Sequence, residues 1–189
     1  MCGNMGSGGS ASGGGSLSIN SSSLPKLQGS EKQVAWANDI RNNYIADLND
    51  RITNGDIDYW DIESMYYNGL GIYLTSNASD RLAYDKQLSK IKAQNPDLTP
   101  KEQRLKAEEY PREIYQKAVE ARKSAKAKAK SEGKTTEQIK LEGNKAYVKA
   151  IAPTYKQWTE DALNGNIAKV ASQWIEKFKN SKYNTFYKK

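Results

Sequence analysis

An all-α fold is what this sequence predicts: a compact domain of about six or seven helices with a protruding basic helical hairpin, preceded by a disordered Gly/Ser leader. Three observations carry the prediction. Apolar residues recur at three- and four-residue spacing over most of the chain, the period of a helix with one face on a core. Helix-start signatures repeat at Ser30 with Gln33, Thr99 with Glu102 and Thr135 with Gln138, where a hydroxyl and the side chain three residues on satisfy first-turn amides. Helix stops follow at Asn54-Gly55, Asn68-Gly69, Asn95-Pro96 and Asn164-Gly165, since Gly adopts the left-handed cap and Pro disfavours helix in the residue before it.

Residues 1–23 are nearly all Gly, Ser, Ala and Asn, a composition with no apolar surface to offset the entropy of ordering. They are expected to be a disordered leader, with order beginning at Leu24-Pro25 and a single helical domain covering 24–178. The first helix starts after Ser30, and Trp36, Ile40, Tyr44, Leu48 and Ile52 form its stripe. Asp56 or Asp58 caps a short second helix with Trp60 and Met65 pointing inward. Leu70 to Leu74 is an apolar run of open conformation, and Asn77 to Asp80 reads as a loop capping a third helix with Leu82, Tyr84, Leu88 and Ile91 buried. A fourth begins at Thr99-Pro100, with Pro at the first helical position.

Pro111 lies inside that fourth helix, and because proline lacks the amide donor it is expected to kink or split it near Tyr110. Past Ala121 the apolar face thins to alanine in ARKSAKAKAKSEGK, so this end is expected to stand in solvent rather than against the core. Ile139, Tyr147, Val148 and Ile151 carry a helix from Thr135 to Pro153, which makes residues 111–153 a basic helical hairpin. A further helix from Thr154 presents Tyr155, Trp158 and Ala162. Ile167, Val170, Ala171, Trp174, Ile175 and Phe178 then form the cleanest amphipathic stripe, and its expected partner is the first helix. Residues 179–189 are a basic aromatic tail.

The chain contains no histidine and one cysteine, Cys2. That removes the commonest general base, a Ser-His-Asp or Cys-His device, and a zinc site. A non-enzymatic role without cofactor or metal is the expectation. No apolar run approaches a membrane span and no secretory signal is visible, which places the chain in the cytoplasm of its host with no membrane partner. The sequons at Asn20 and Asn77 read as chance. The net charge of +7 is uneven: residues 55–80 hold Asp56, Asp58, Asp61, Glu63 and Asp80 and no basic side chain, whereas 81–189 hold 25 basic against 13 acidic. Such a layout favours an anionic partner for the C-terminal part.

Over LPKLQGSEKQVAWANDIR, residues 24–41, and IAKVASQWIEKF, residues 167–178, the chain resembles a set of uncharacterised phage and mobile-element proteins of Gram-positive bacteria. Their pattern is Leu-Pro-x-Leu-x-Gly-x-Glu-Lys-Gln-x-x-Trp-Ala near the start and a small-residue, Trp-Ile helix near the end. The resemblance implies a mobile-element origin and no assigned chemistry.

The candidate site follows from charge. Lys117, Arg122, Lys123, Lys126, Lys128, Lys130 and Lys134 stand against Glu120 and Glu132 and can track a phosphate backbone along one helix; the plainer alternative is a solvated Lys/Ala helix. In the tail, Lys182, Tyr183 and Tyr187 mix cations with rings, which suits stacking on bases, against a frayed terminus. Asp56, Asp58, Asp61 and Glu63 fit first-turn acids better than a divalent-ion site. Trp36, Trp60, Trp158 and Trp174 read as core, and Tyr66-Tyr67 is left undecided. The expected partner is DNA or RNA, or an acidic or RNA-loaded host protein such as a defence complex to be inhibited; a virion component is the other protein-binding role.

Overall fold

A computed structural model describes residues 18–70 and 81–186. Among them are six α-helices: α1 (Glu31–Asn54), α2 (Tyr59–Asn68), α3 (Leu82–Gln94), α4 (Pro100–Ser131), α5 (Thr136–Leu163) and α6 (Ala171–Phe178). No strand occurs among the described residues, only an isolated parallel bridge between Gln28 and Val170. The helix starts form as the capping chemistry dictates, with reciprocal boxes at Ser30, Asp58, Thr99 and Thr135. Gly55 closes α1 in the left-handed region at φ 73°, a conformation that only glycine reaches without strain. Asn77 to Asp80 and the run after Leu70 lie outside the described residues.

The split allowed for at Pro111 and the helix end expected at Pro153 do not occur. α4 is continuous through Pro111 and α5 is continuous through Pro153, so neither helix is split and the separate helix from Thr154 does not exist. Pro111 cannot donate to the carbonyl of Ala107 one turn back. That carbonyl accepts instead from the Tyr66 hydroxyl, at 2.6 Å and buried. Burial raises the pKa of this hydroxyl far above its ordinary value, which keeps it a donor. Of the undecided Tyr66-Tyr67 pair, Tyr66 thus repairs the helix, and Tyr67 adds a hydrogen bond to the Glu108 carbonyl at 3.2 Å. Pro153 lies on the exposed side of α5 beside exposed Lys149, where solvent reaches the lost bonding position. Tyr66→Phe is expected to cost about 1–3 kcal/mol, the penalty of a buried unsatisfied carbonyl. In a Pro111→Ala background the amide of residue 111 takes over, and the same change should cost less; a double-mutant cycle by urea denaturation measures that coupling.

α4 and α5 pack as an antiparallel hairpin. Ala107, Ala118 and Ala129 are all buried on α4; they stand eleven residues apart, three helical turns, and so share one line. Small residues there let neighbouring helices approach closely; of the alanines past Ala121 that read from sequence as a solvent face, Ala129 alone is buried and Ala127 is exposed. Only part of the earlier expectation stands, since Ala129 packs on α5 yet lies outside the central apolar cluster. On the facing side Gly143 is covered by Lys126, whose Cγ and Cε would lie 2.7 Å from a Cβ at that position.

The core gathers Ile40, Ile52, Ile62, Tyr66, Tyr147, Ile151, Leu163 and Trp174 from four of the six helices. The expected pairing of first and last helices holds: Tyr44 meets Trp174 edge-on at 5.9 Å and Phe178 at 5.4 Å. The stripe of 167–178 is nevertheless broken. Ile167–Lys169 is a 3-10 turn and Val170 is extended, because Gln28 bonds on both sides of it, donating to Lys169 O at 2.7 Å and accepting from Ala171 N at 2.9 Å.

Two further expectations are corrected. Trp60 is 75% exposed rather than inward. Order begins before Leu24: Ile19 is buried, and its backbone N–H and C=O both bond the Asn49 side chain, at 2.7 and 3.1 Å. The last six residues assigned to the leader therefore belong to the folded body, while residues 1–17 lie outside the described residues.

Candidate nucleic-acid interface

The seven basic residues assigned to α4 and its turn do not form one stripe. Lys123, Lys126 and Lys130 stand at i, i+3 and i+7, along one flank of the helix. Lys117 and Lys128, eleven residues apart, run along the other, with the buried alanine line between the two sets. No ion pair engages Lys117, Lys123, Lys126 or Lys130 among the described residues, whereas Glu132 takes Lys134 at 3.0 Å and Lys128 at 4.0 Å.

Arg122 is not part of this surface. Its guanidinium lies over the Tyr147 ring, 3.8 Å from the centroid, and donates to the Gly55 carbonyl at 3.4 Å. An arginine stacked on a buried ring is an internal cation–π anchor, here tying α4 to α5 and to the turn after α1. Beyond it the hairpin carries its charge outward. Residues 123–145 hold seven basic and three acidic side chains, and their only buried members are Ala129 and Gly143. Lys140 and Lys145 on α5 belong to the same surface and were not among the sequence-predicted residues, because the hairpin topology, not spacing within one helix, brings them alongside α4.

The tail is neither frayed nor available over the described residues. Lys182 pairs with Asp47, and Tyr183 donates to the same carboxylate at 3.0 Å. The Tyr183 ring packs edge-on against Tyr44 at 5.2 Å and Phe178 at 5.7 Å. Thr185 N–H donates to Asp39 at 2.9 Å, Asn43 donates to Tyr183 O at 2.9 Å, and Trp36 Nε1 donates to Asn184 at 2.9 Å. Lys182 and Tyr183 thus act as fasteners. Tyr187 lies outside the described residues. The receiving residues, Asp39, Asn43 and Asp47, follow i, i+4, i+8 on α1, and that polar ladder beside an apolar stripe was the available signal.

Burial alone would raise the Asp47 carboxyl, but the hydrogen bonds from Lys182 and Tyr183 outweigh it and hold its pKa below the ordinary value. A carboxylate depressed on folding contributes stability above its unfolded pKa, about 4, and loses it as pH falls through the folded value. Asp47→Asn is therefore expected to cost about 1–2 kcal/mol at neutral pH. The gap from the unaltered protein should close as pH falls through the folded value, as urea titrations at neutral pH and in acid would show.

The acidic segment is likewise occupied. Asp58 and Asp61 form the α2 capping box, Asp61 pairs with Arg51, and Glu63 accepts from Tyr59 at 3.2 Å. Among the described residues no group of three or more His, Cys, Asp and Glu is placed to hold a metal ion. No helix of the described residues is long and apolar enough to cross a membrane. No protein-family model matches the chain, nor does any curated protein or solved structure.

Proposed function

We propose that this chain is a non-enzymatic nucleic-acid-binding protein, an accessory factor of a phage or mobile element acting in the host cytoplasm, whose contact surface is the distal α4–α5 hairpin. What supports the reading is the separation of roles along α4. Arg122 anchors inward, and beyond it the hairpin buries only small residues and presents lysines with few acidic partners. A rigid two-helix arm with cations on both flanks suits contact with phosphates rather than base edges, so binding should depend weakly on sequence and steeply on salt.

Fluorescence anisotropy of labelled single-stranded DNA, duplex DNA and RNA at rising salt tests it. Binding that falls linearly in log salt supports the arm, and no binding at low salt overturns the proposal. A second reading is favoured by Leu141, 53% exposed on the same arm: docking on an acidic protein surface, as an inhibitor of a host defence complex or a virion component. It predicts a stoichiometric complex with one protein and no salt-dependent affinity for free oligonucleotides.

A further inference from the structure

We infer that the face around Trp60 binds a second copy of this chain, each copy placing its Trp60 in a groove along the other's α4. The groove is shallow and open to solvent, has a volume of about 470 Å³ and is lined by Tyr115, Gln116, Lys117, Val119, Glu120 and Lys123. Its lining is mainly apolar. Tyr59 packs edge-on against Tyr115 with centroids 5.6 Å apart, so the first turn of α2, which carries Trp60, lies against α4 beside this groove. Trp60 does not fill it, being 75% exposed. A lone exposed apolar residue needs no explanation, but an exposed indole beside an apolar groove is the pairing that interface anchors use.

Charge chooses the occupant. Exposed Asp56 and Asp58, with Glu63, flank Trp60, while Lys117 and Lys123 flank the groove, with Glu120 between them. A twofold axis between the two halves of this face lays the acidic half of each copy on the basic half of the other, as a self-complementary interface requires. A nucleic acid meets the opposite situation, because the carboxylates around Trp60 repel its phosphates. The inference does not rest on the nucleic-acid reading, since it uses Lys117 and Lys123 near the body and leaves Lys128 and Lys130 on the arm.

Sedimentation velocity of the full chain, from micromolar to sub-millimolar concentration, tests it. The expected result is a species of twice the 21.1 kDa chain mass that grows with concentration, is lost in Trp60→Ser with unchanged helical circular dichroism, and weakens with salt. Two charge-reversed chains give the decisive arm. Asp56→Lys with Glu63→Lys in one, and Lys117→Glu with Lys123→Glu in the other, should each be monomeric alone and form a heterodimer when mixed. A chain that stays monomeric throughout, a dimer that survives Trp60→Ser, or charge-reversed chains that fail to pair would overturn the inference. So would Trp60 fluorescence quenched by single-stranded oligonucleotides in a protein that stays monomeric, which would make the indole a stacking platform.

Discussion

Trp174→Ala is expected to remove about 3–5 kcal/mol of stability, the cost of emptying a fully buried aromatic site. Trp174 is 0% exposed, its indole N–H donates to Ala168 O at 2.8 Å, and its ring touches Tyr44 and Phe178. It lies where four separate stretches meet: the bridge at Gln28, the middle of α1, α6 and the tail that Tyr183 fastens. Truncation leaves a cavity bordered by backbone that bonding between Gln28 and residues 169–171 holds in place, so collapse around it is limited. Small domains have only about 5–15 kcal/mol in total, which makes this a large fraction. The melting temperature should fall by roughly 6–20 °C for a chain of this size. Calorimetry and urea denaturation check it, and a loss under about 1 kcal/mol would mean that the joined ends melt apart from the rest of the core.

Reversing charge at Lys128 and Lys130 together should lower nucleic-acid affinity by roughly 10²-fold at low salt and flatten the salt slope by about two. Each change removes one phosphate contact and introduces a repulsion. Both lysines are exposed and neither packs on the core, so stability should stay within about 0.5 kcal/mol. That separates loss of binding from loss of fold. Lys182→Glu provides the contrast: Lys182 is held by Asp47 against α1, so its reversal should leave affinity unchanged while loosening the tail. Equal effects at the tail and the arm would show that the charge of the whole protein attracts the strand, with no localised arm.

Sequence alone determined the helical class, three of the helix starts and the pairing of the first and last helices. Those features are local or periodic: a hydroxyl three residues before a Gln or Glu, or a stripe repeating every turn, has the same meaning in any context. Tertiary contacts decided what those rules leave open. Pro111 and Pro153 are breakers by local rule, yet both helices continue, one because Tyr66 reaches from α2 to the orphaned Ala107 carbonyl. Trp60 matches a core tryptophan in composition and spacing, but α2 buries Ile62, Met65 and Tyr66, and the adjacent side is left to solvent. Ile19 and the tail residues look disordered as segments and are ordered by Asn49 and by Asp39, Asn43 and Asp47 on α1. Among the cations, sequence counts charges and the fold assigns them. Arg122 turns inward because a tyrosine of α5 lies beneath it and Lys182 is held by a carboxylate 135 positions away, and a partner distant in sequence becomes visible only once the chain has folded.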